Sequence, residues 1–329
     1  MIEGHGDDLY RYDNIKMNFS SNIYNGTDLS ALETYLNSRM SVVRSYPEPS
    51  AASLEQMIAR ECGISSDEVL VTSGAVDAIY LIAQAYRHEG TCHILQPTFR
   101  EYEDACRVFG YQQSNEGALC WLCNPNNPTG DVMAVEDVLA LAGHHRLLIV
   151  DQSYEDYTMA PLLQPADAVG QDNIILLHSM TKRYAVPGLR LGYVTASSAI
   201  IRRLQEQYRP WAINALSLEA GKWLVERGKT AIPDLPSYLA ETQRLRTMLN
   251  GIEGIETLDT QTNFFLCTIA SATAAQLKEY LAREHGILIR DASNFTGLTP
   301  HHFRIATQSP AENNTLATAI MNYELHELY

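Results

Sequence analysis

Between residues 68 and 196 the sequence passes through a series of short, nearly continuous apolar runs. They are 68–73 (EVLVTS), 91–96 (TCHILQ), 118–124 (ALCWLCN), 146–151 (RLLIVD), 173–179 (NIILLHS) and 190–196 (RLGYVTA), with a weaker run at 111–114. A strand with one wet face alternates polar and apolar residues, whereas a strand apolar throughout must be covered on both sides. The segments between them, 75–87, 100–109 and 135–142, have helical spacing. The pattern predicts an α/β fold with a seven-stranded, mainly parallel sheet covered by helices.

After residue 196 the character changes. A helical stretch, 198–226, is interrupted near Pro210, and Pro233 and Pro236 punctuate the chain. Then come a helix at 239–249, a strand at 263–269 (NFFLCTI), a helix at 272–284, short strands at 287–290 and 303–307, and a last helix after Pro310. This reads as a smaller C-terminal α/β layer. The first 45 residues are too poor in apolar side chains to fold alone, so they are expected to cover a surface made by the rest. The expected organisation is an arm and helix at 1–45 that pack on the ligand site and the small domain, a large domain at 46–225 and a small domain at 226–329.

Charge narrows the function classes. A net charge of −15 argues against non-specific nucleic-acid binding and against docking on anionic lipid, yet a local arginine cluster can still hold a small anion. No apolar run approaches the ~20 residues of a membrane helix. The opening MIEGHGDDLYRYD is polar and acidic, unlike a targeting peptide, and the six cysteines are scattered through apolar stretches. A reduced, cytoplasmic protein is expected. Cys120-Trp121-Leu122-Cys123 lacks a second pair to complete a zinc site, so both cysteines are expected in the core and no metal is expected. The histidine pairs His144–His145 and His301–His302, like the other histidines of the body of the chain, show no ligand spacing and are expected at the surface.

In open α/β sheets ligands bind outside the carboxyl ends of the strands. The first run ends in Thr72-Ser73-Gly74-Ala75, a small turn into a helix whose N–H groups suit a phosphate. The second leads to Pro97-Thr98-Phe99, and the third to the rigid polar turn Asn124-Pro125-Asn126-Asn127-Pro128-Thr129-Gly130. The fourth ends in Asp151, followed by Tyr154; a carboxylate closing an apolar run is costly unless it meets a cation. The fifth ends in Ser179-Met180-Thr181-Lys182, with Arg190 eight residues on. One cofactor uses this whole set. Pyridoxal phosphate needs a Lys for its Schiff base, an Asp for its ring nitrogen, donors for its phenolate, a ring to stack on and a phosphate cup.

NPNNPTG, VDQSY and SMTKRYAVPGLRLGY resemble fold type I pyridoxal-phosphate enzymes of the aminotransferase I/II group, and the resemblance covers nearly the whole chain. It implies that Lys182 is the Schiff-base lysine and that Asp151 pairs with the ring nitrogen. It further implies that Asn127 and Tyr154 bond the phenolate, that Phe99 stacks on the ring, and that Ser179, Thr181, Arg190 and the Ser73–Gly74–Ala75 turn hold the phosphate. Tyr46 matches a tyrosine that dimers of this family reach across their interface, which implies a homodimer. The family's G-N-G-x-x-E turn is replaced by Ser73-Gly74-Ala75-Val76-Asp77.

The cofactor leaves the reaction open: whichever bond stands perpendicular to its ring breaks, and the groups holding the substrate's anions decide which. Arg290 and Arg304 each adjoin an apolar strand and suit capture of carboxylate or phosphate. Two subgroups carry this pair, threonine-phosphate decarboxylases of cobalamin biosynthesis and histidinol-phosphate aminotransferases. His5-Gly6, NFSSNI at 18–23, PWAINAL at 210–216 and ILIRDASNFTGL at 287–298 resemble the decarboxylases. That match implies decarboxylation of threonine phosphate to aminopropanol phosphate. His5, Gly6, Asn22, Asn127, Arg290 and Arg304 would touch the substrate, Arg304 holding its carboxylate and Arg290 with His5 its phosphate. An aminotransferase is the alternative.

Overall fold

The computed structural model describes residues 8–228, 230–232 and 234–327. A two-residue strand, β1 (Met17–Asn18), precedes the large sheet. That sheet contains β2 (Val69–Thr72), β3 (Thr91–Ile94), β4 (Gln112–Gln113), β5 (Leu119–Cys123), β6 (Leu147–Asp151), β7 (Ile174–His178) and β8 (Gly192–Ala196). The seven strands lie in the order β2-β8-β7-β6-β5-β3-β4. All neighbours are parallel except those of β8, which is antiparallel to both β2 and β7.

The apolar runs become strands because both faces are covered. β2 and β5 to β8 are buried at every position. Successive side chains point to opposite faces. Trp121, Ile149 and Leu177 face the helices Ala75–Ala85 and Glu101–Val108, while Cys120, Leu122, Leu148 and Val150 face the helix Val135–Ala142. Each such Leu or Ile contributes about 1.5–3 kcal/mol when fully buried. Cys120 and Cys123 face opposite sides of the sheet, so they cannot converge on one ligand.

The smaller sheet contains β9 (Ile255–Thr257), β10 (Phe264–Ile269), β12 (Arg290–Asp291) and β13 (His302–Ala306), antiparallel in the order β12-β13-β10-β9, while β11 (Ile287–Leu288) pairs in parallel with β1. The run read as one strand at 287–290 is therefore split between two sheets. The cause lies far off in sequence: the N-H of Phe19 donates to the Leu288 carbonyl, so the N-terminal segment takes one edge while Arg290 pairs with β13. Phe19 is wholly buried in the core of the smaller sheet. Residues 17–19 thus pack on the smaller sheet and its neighbouring strand.

Other elements depart from the sequence reading. The helix Leu235–Asn250 starts four residues before the expected 239, because Pro236 sits in its first turn and the Asp234 carboxylate accepts from the Ser237 N–H at 3.2 Å. The helix Ala52–Cys62 had no counterpart in the sequence reading; it and the helix Ser30–Arg39 are held by Leu32, Leu54 and Ile58 against the helix Ala215–Arg227. Two histidines expected at the surface are buried. His178 finds Glu155 Oε1 at 3.0 Å and Thr195 Oγ1 at 3.1 Å and stacks on Tyr193; His145 Nδ1 lies 2.7 Å from the Gly117 carbonyl. Local polar partners make their burial tolerable. None of the described helices is long and apolar enough to cross a membrane.

Candidate active site

β5, β6 and β7 run parallel and deliver Asn124, Asp151 and Ser179 to one edge of the large sheet, as their apolar interiors and polar last residues dictate. There a cavity of about 190 Å³ is lined by Ala75, Phe99, Asn127, Asp151, Ser179 and Lys182, among others. A second cavity of about 260 Å³ shares Phe99, Asn127, Tyr154, Thr181, Lys182 and Arg190 with it and extends to Arg290 and Arg304. The two form one continuous site.

Asp151 is the deepest charge. Tyr102 Oη donates to its Oδ2 at 2.7 Å, and the Ser153 N–H and hydroxyl donate to its Oδ1 at 2.9 and 2.5 Å. Burial nonetheless raises its pKa, because all three donors are neutral. Lys182 lies in the short helix Met180–Arg183 after β7 and donates from Nζ to the Ser21 carbonyl at 3.0 Å, beside the Tyr154 ring. Asn22 Nδ2 donates to Tyr154 Oη at 3.3 Å. Burial pushes the Tyr154 phenol up to about 12, so it stays protonated.

The first N–H groups of the helix Ala75–Ala85 have no partner within the helix. Arg190 leans over this end from a left-handed backbone, φ 50°. A Cβ on Gly74, itself at φ +85°, would sit 2.6 Å from Arg190 Nη2, so a larger residue there would displace the guanidinium. Non-glycine residues in that region are enriched at functional sites; Asn22, φ 54°, is another here.

At the outer end, β12 and β13 set Arg290 directly opposite Arg304. Both are buried, and desolvation lowers each to about 10. Arg304 Nη1 donates to Asn127 Oδ1 and Nη2 to the Ser20 carbonyl, at 2.6 Å for the latter, while Arg290 Nη2 donates to Asn294 Oδ1 at 2.8 Å. Two like charges facing each other across a ladder are unfavourable unless an anion joins them.

A profile of the family described as aminotransferase class I and II matches residues 14–115 and 111–320. The chain belongs to that family. The structure of L-threonine-O-3-phosphate decarboxylase from Porphyromonas gingivalis is 35% identical, matches 94% of this chain and 99% of its own, and gives a TM-score of 0.90. A histidinol-phosphate aminotransferase from Caldanaerobacter subterraneus is 29% identical over 302 residues, 84% of each protein. The histidinol-phosphate aminotransferase of Sinorhizobium meliloti, solved in complex with pyridoxal-5'-phosphate, shares the fold at a TM-score of 0.81 with 17% identity, over 95% of this chain and 92% of that one.

This aminotransferase-family chain therefore has the fold type I architecture, and its cofactor is pyridoxal 5'-phosphate. The residues present fit that group. Thr181 Oγ1 is buried without a hydrogen-bond partner. The Gly74 turn leaves the space beside Arg190 open, and Asp151 is a buried carboxylate bonded only by neutral donors.

Of the residues singled out from sequence, Ala75, Phe99, Asn127, Asp151, Tyr154, Ser179, Thr181, Lys182, Arg190, Arg290 and Arg304 line this site. Asn22 touches it through Tyr154, and Gly74 through Arg190. Ser73 stands just outside it, its N–H donating to Asp77 Oδ2 at 3.0 Å. Tyr46 is away from it, 85% exposed and packed beside Trp211. His5 and Gly6 lie outside the described residues. Sequence reasoning missed Tyr102 and Ser153 on Asp151, Asn294 on Arg290, and the Ser20 and Ser21 carbonyls. Tyr102 follows Phe99 by one helical turn, which is the one signal that could have found it.

Proposed function

We propose that this chain decarboxylates threonine phosphate to aminopropanol phosphate, in the manner of the decarboxylases of cobalamin biosynthesis. The observation that carries the proposal is the facing pair Arg290 and Arg304 at the mouth of a cavity floored by Lys182 and Asp151. A substrate with a carboxylate and a phosphate supplies one anion to each guanidinium. The 35% identity to a threonine-phosphate decarboxylase over nearly the whole chain supports the same reading.

Pyridoxal phosphate supplies an electrophilic carbonyl for an amine and a ring that accepts an electron pair. Lys182 would hold it through Nζ. Asp151 would keep a proton on its ring nitrogen, Asn127 and Tyr154 would bond its phenolate, Phe99 would cover one face, and Ser179, Thr181, Arg190 and the Gly74 turn would hold its phosphate. Arg304, tied to Asn127, lies at the cofactor end of the outer cavity and would hold the carboxylate one bond from Cα. Arg290, beside Asn294 and Phe295, would hold the more distant phosphate. The carboxylate of Asp8 lies near enough to Arg290 to act on its charge, and His5 is the further residue proposed for the phosphate. Carbon dioxide would leave, and Lys182 Nζ or a water would return a proton to Cα.

The chain is proposed to act as a cytoplasmic homodimer, with Tyr46 and the half-exposed Trp211 on the shared face. The deciding assay mixes cofactor-loaded protein with phosphothreonine and, separately, with histidinol phosphate and 2-oxoglutarate. Carbon dioxide and aminopropanol phosphate from the first are expected. Glutamate from the second, with nothing from the first, would replace this reading with an aminotransferase.

A further inference from the structure

At the opposite edge of the large sheet, away from the cofactor cavity, three side chains distant in sequence converge. His93 on β3 is the register partner of Cys120 on β5, and His145 lies just before β6. His93 Nδ1 is 3.5 Å from His145 Nε2 and 3.9 Å from Cys120 Sγ, and the three ligand atoms all lie within 4.8 Å of one another. We propose that His93, Cys120 and His145 bind one thiophilic divalent cation of the zinc type, with water as the fourth ligand.

Three observations carry this. Two imidazoles and a thiol are the donor set that zinc takes in tetrahedral sites. Around such an ion, ligand atoms stand about 3.3–3.5 Å apart. The two distances involving His93 already approach this, and closing the triangle needs about an ångström of side-chain movement.

The second observation is the outer support. His145 Nδ1 lies 2.7 Å from the Gly117 carbonyl, which makes Nδ1 the donor and turns the Nε2 lone pair toward His93 and Cys120. Gly117 is fixed there because any Cβ would fall 2.3 Å from the Cys92 carbonyl carbon. The carbonyl that orients His145 is thus held by a residue that cannot be larger. Metal-ligating histidines characteristically have such a partner on their second nitrogen.

Third, the cluster does not satisfy itself. A contact of 3.5 Å between ring nitrogens exceeds the about 2.7–3.2 Å of a well-formed hydrogen bond. Cys120 is wholly buried on the face of the sheet opposite Trp121, and His145 is buried, whereas His93 is half-buried and leaves a path for a hydrated ion. Cys120 precedes Cys123, the register partner of Asp151, by about 10 Å along the strand. The ion would clamp three adjoining segments without touching the cofactor.

The test uses chelator-treated, cofactor-loaded protein, titrated with Co²⁺ and then with Zn²⁺ in competition, plus metal analysis after dialysis. One Co²⁺ per chain should bind, with intense tetrahedral ligand-field bands at the red end of the visible, clear of the cofactor, and Zn²⁺ should displace it. Cys120→Ser and His145→Gln should each weaken binding beyond the about 10–100-fold that loss of a supporting group alone produces. Retained cofactor absorbance shows that a variant is folded; should either fail, His93→Gln, at the half-buried position, serves in its place. Absence of the bands in the wild-type protein, or their persistence in folded Cys120→Ser and His145→Gln or His93→Gln, would overturn the site.

Discussion

Tyr102→Phe tests how the floor of the site is tuned. Tyr102 is fully buried, stacked on Trp121 at 5.4 Å and edge-on to Phe99 at 5.8 Å, and its hydroxyl donates to Asp151 Oδ2 at 2.7 Å. Phenylalanine keeps the ring contacts and removes only the donor. A hydrogen bond to a charged group is worth about 1.5–3 kcal/mol. At 1.36 kcal/mol per unit, its loss moves the Asp151 pKa by about 1–2 units. The sign follows from which form is bonded. Tyr102 stabilises the carboxylate against a burial that already raises the pKa, so removing it raises the pKa further. Cofactor with a protonated ring nitrogen needs the ionised form of Asp151. Its affinity should therefore fall off, as pH decreases, about 1–2 units sooner in the variant than in the wild type. The assay is cofactor affinity by absorbance titration across pH on apoprotein. The two proteins share every other titrating group, so the displacement between their curves reports Asp151. Superimposable curves from a folded variant would refute the reasoning.

Arg290→Gln should lower kcat/KM for phosphothreonine by about 30- to 5,000-fold, from the 2–5 kcal/mol of a truncated buried charge pair, and leave turnover of unphosphorylated threonine unchanged; an equal loss on both substrates would remove Arg290 from the phosphate. Glu55 is buried beneath β2, where burial pushes it to about 7 although the Val71 N–H donates to it at 3.1 Å. A raised carboxyl pKa gives stability that is complete below the unfolded value and lost as pH climbs to the folded one. Glu55→Gln should therefore stabilise the protein by about 1–3 kcal/mol near pH 8 and change little near pH 4, read from denaturant melts; an equal effect at both would sink the argument. Gly74→Ala places a Cβ against Arg190 at a left-handed φ, which costs about 1–2 kcal/mol, and should release cofactor phosphate while circular dichroism stays native; full cofactor retention would contradict the tight approach.

What was legible in the sequence follows a physical division. The large sheet was readable because a strand covered on both faces has no alternation to confuse with a helix, and the polar residues Asn124, Asp151 and Ser179 stand at or just past the ends of β5, β6 and β7. Residues brought to the cavity by their own strand end, Asp151, Ser179 and Lys182, could be singled out for that reason. Arg290 and Arg304 were found as strand residues, but their facing register is set by β13 and by the Phe19–Leu288 contact, neither of which leaves a local pattern. Tyr102 looked like one more apolar helix position, since a buried tyrosine and a buried phenylalanine have the same spacing. His145 read as a surface residue in a turn because its partner, the Gly117 carbonyl, comes from another loop. The missed strand β9 buries only Ile255 among its three residues, too little for a periodic signal.

The site's charges explain one another only when taken with the ligands. Asp151 is a buried anion whose hydrogen bonds come from neutral donors, and Arg290 and Arg304 are buried cations facing each other. Each alone destabilises the fold, and desolvation accordingly pushes all three toward their neutral forms. The two imbalances have opposite sign and sit at opposite ends of one cavity, yet they do not neutralise one another, because Lys182, Asn127 and Tyr154 stand between them. In the proposed function, a ring nitrogen that carries a proton would answer the first, and a substrate with two anionic ends the second. The same desolvation that makes these groups costly in the unliganded fold strengthens their grip on the charges they are shaped to meet, since the dielectric that weakens such contacts in water is excluded. Stability is held by the apolar strands on either side, which offsets the cost of burying these charges.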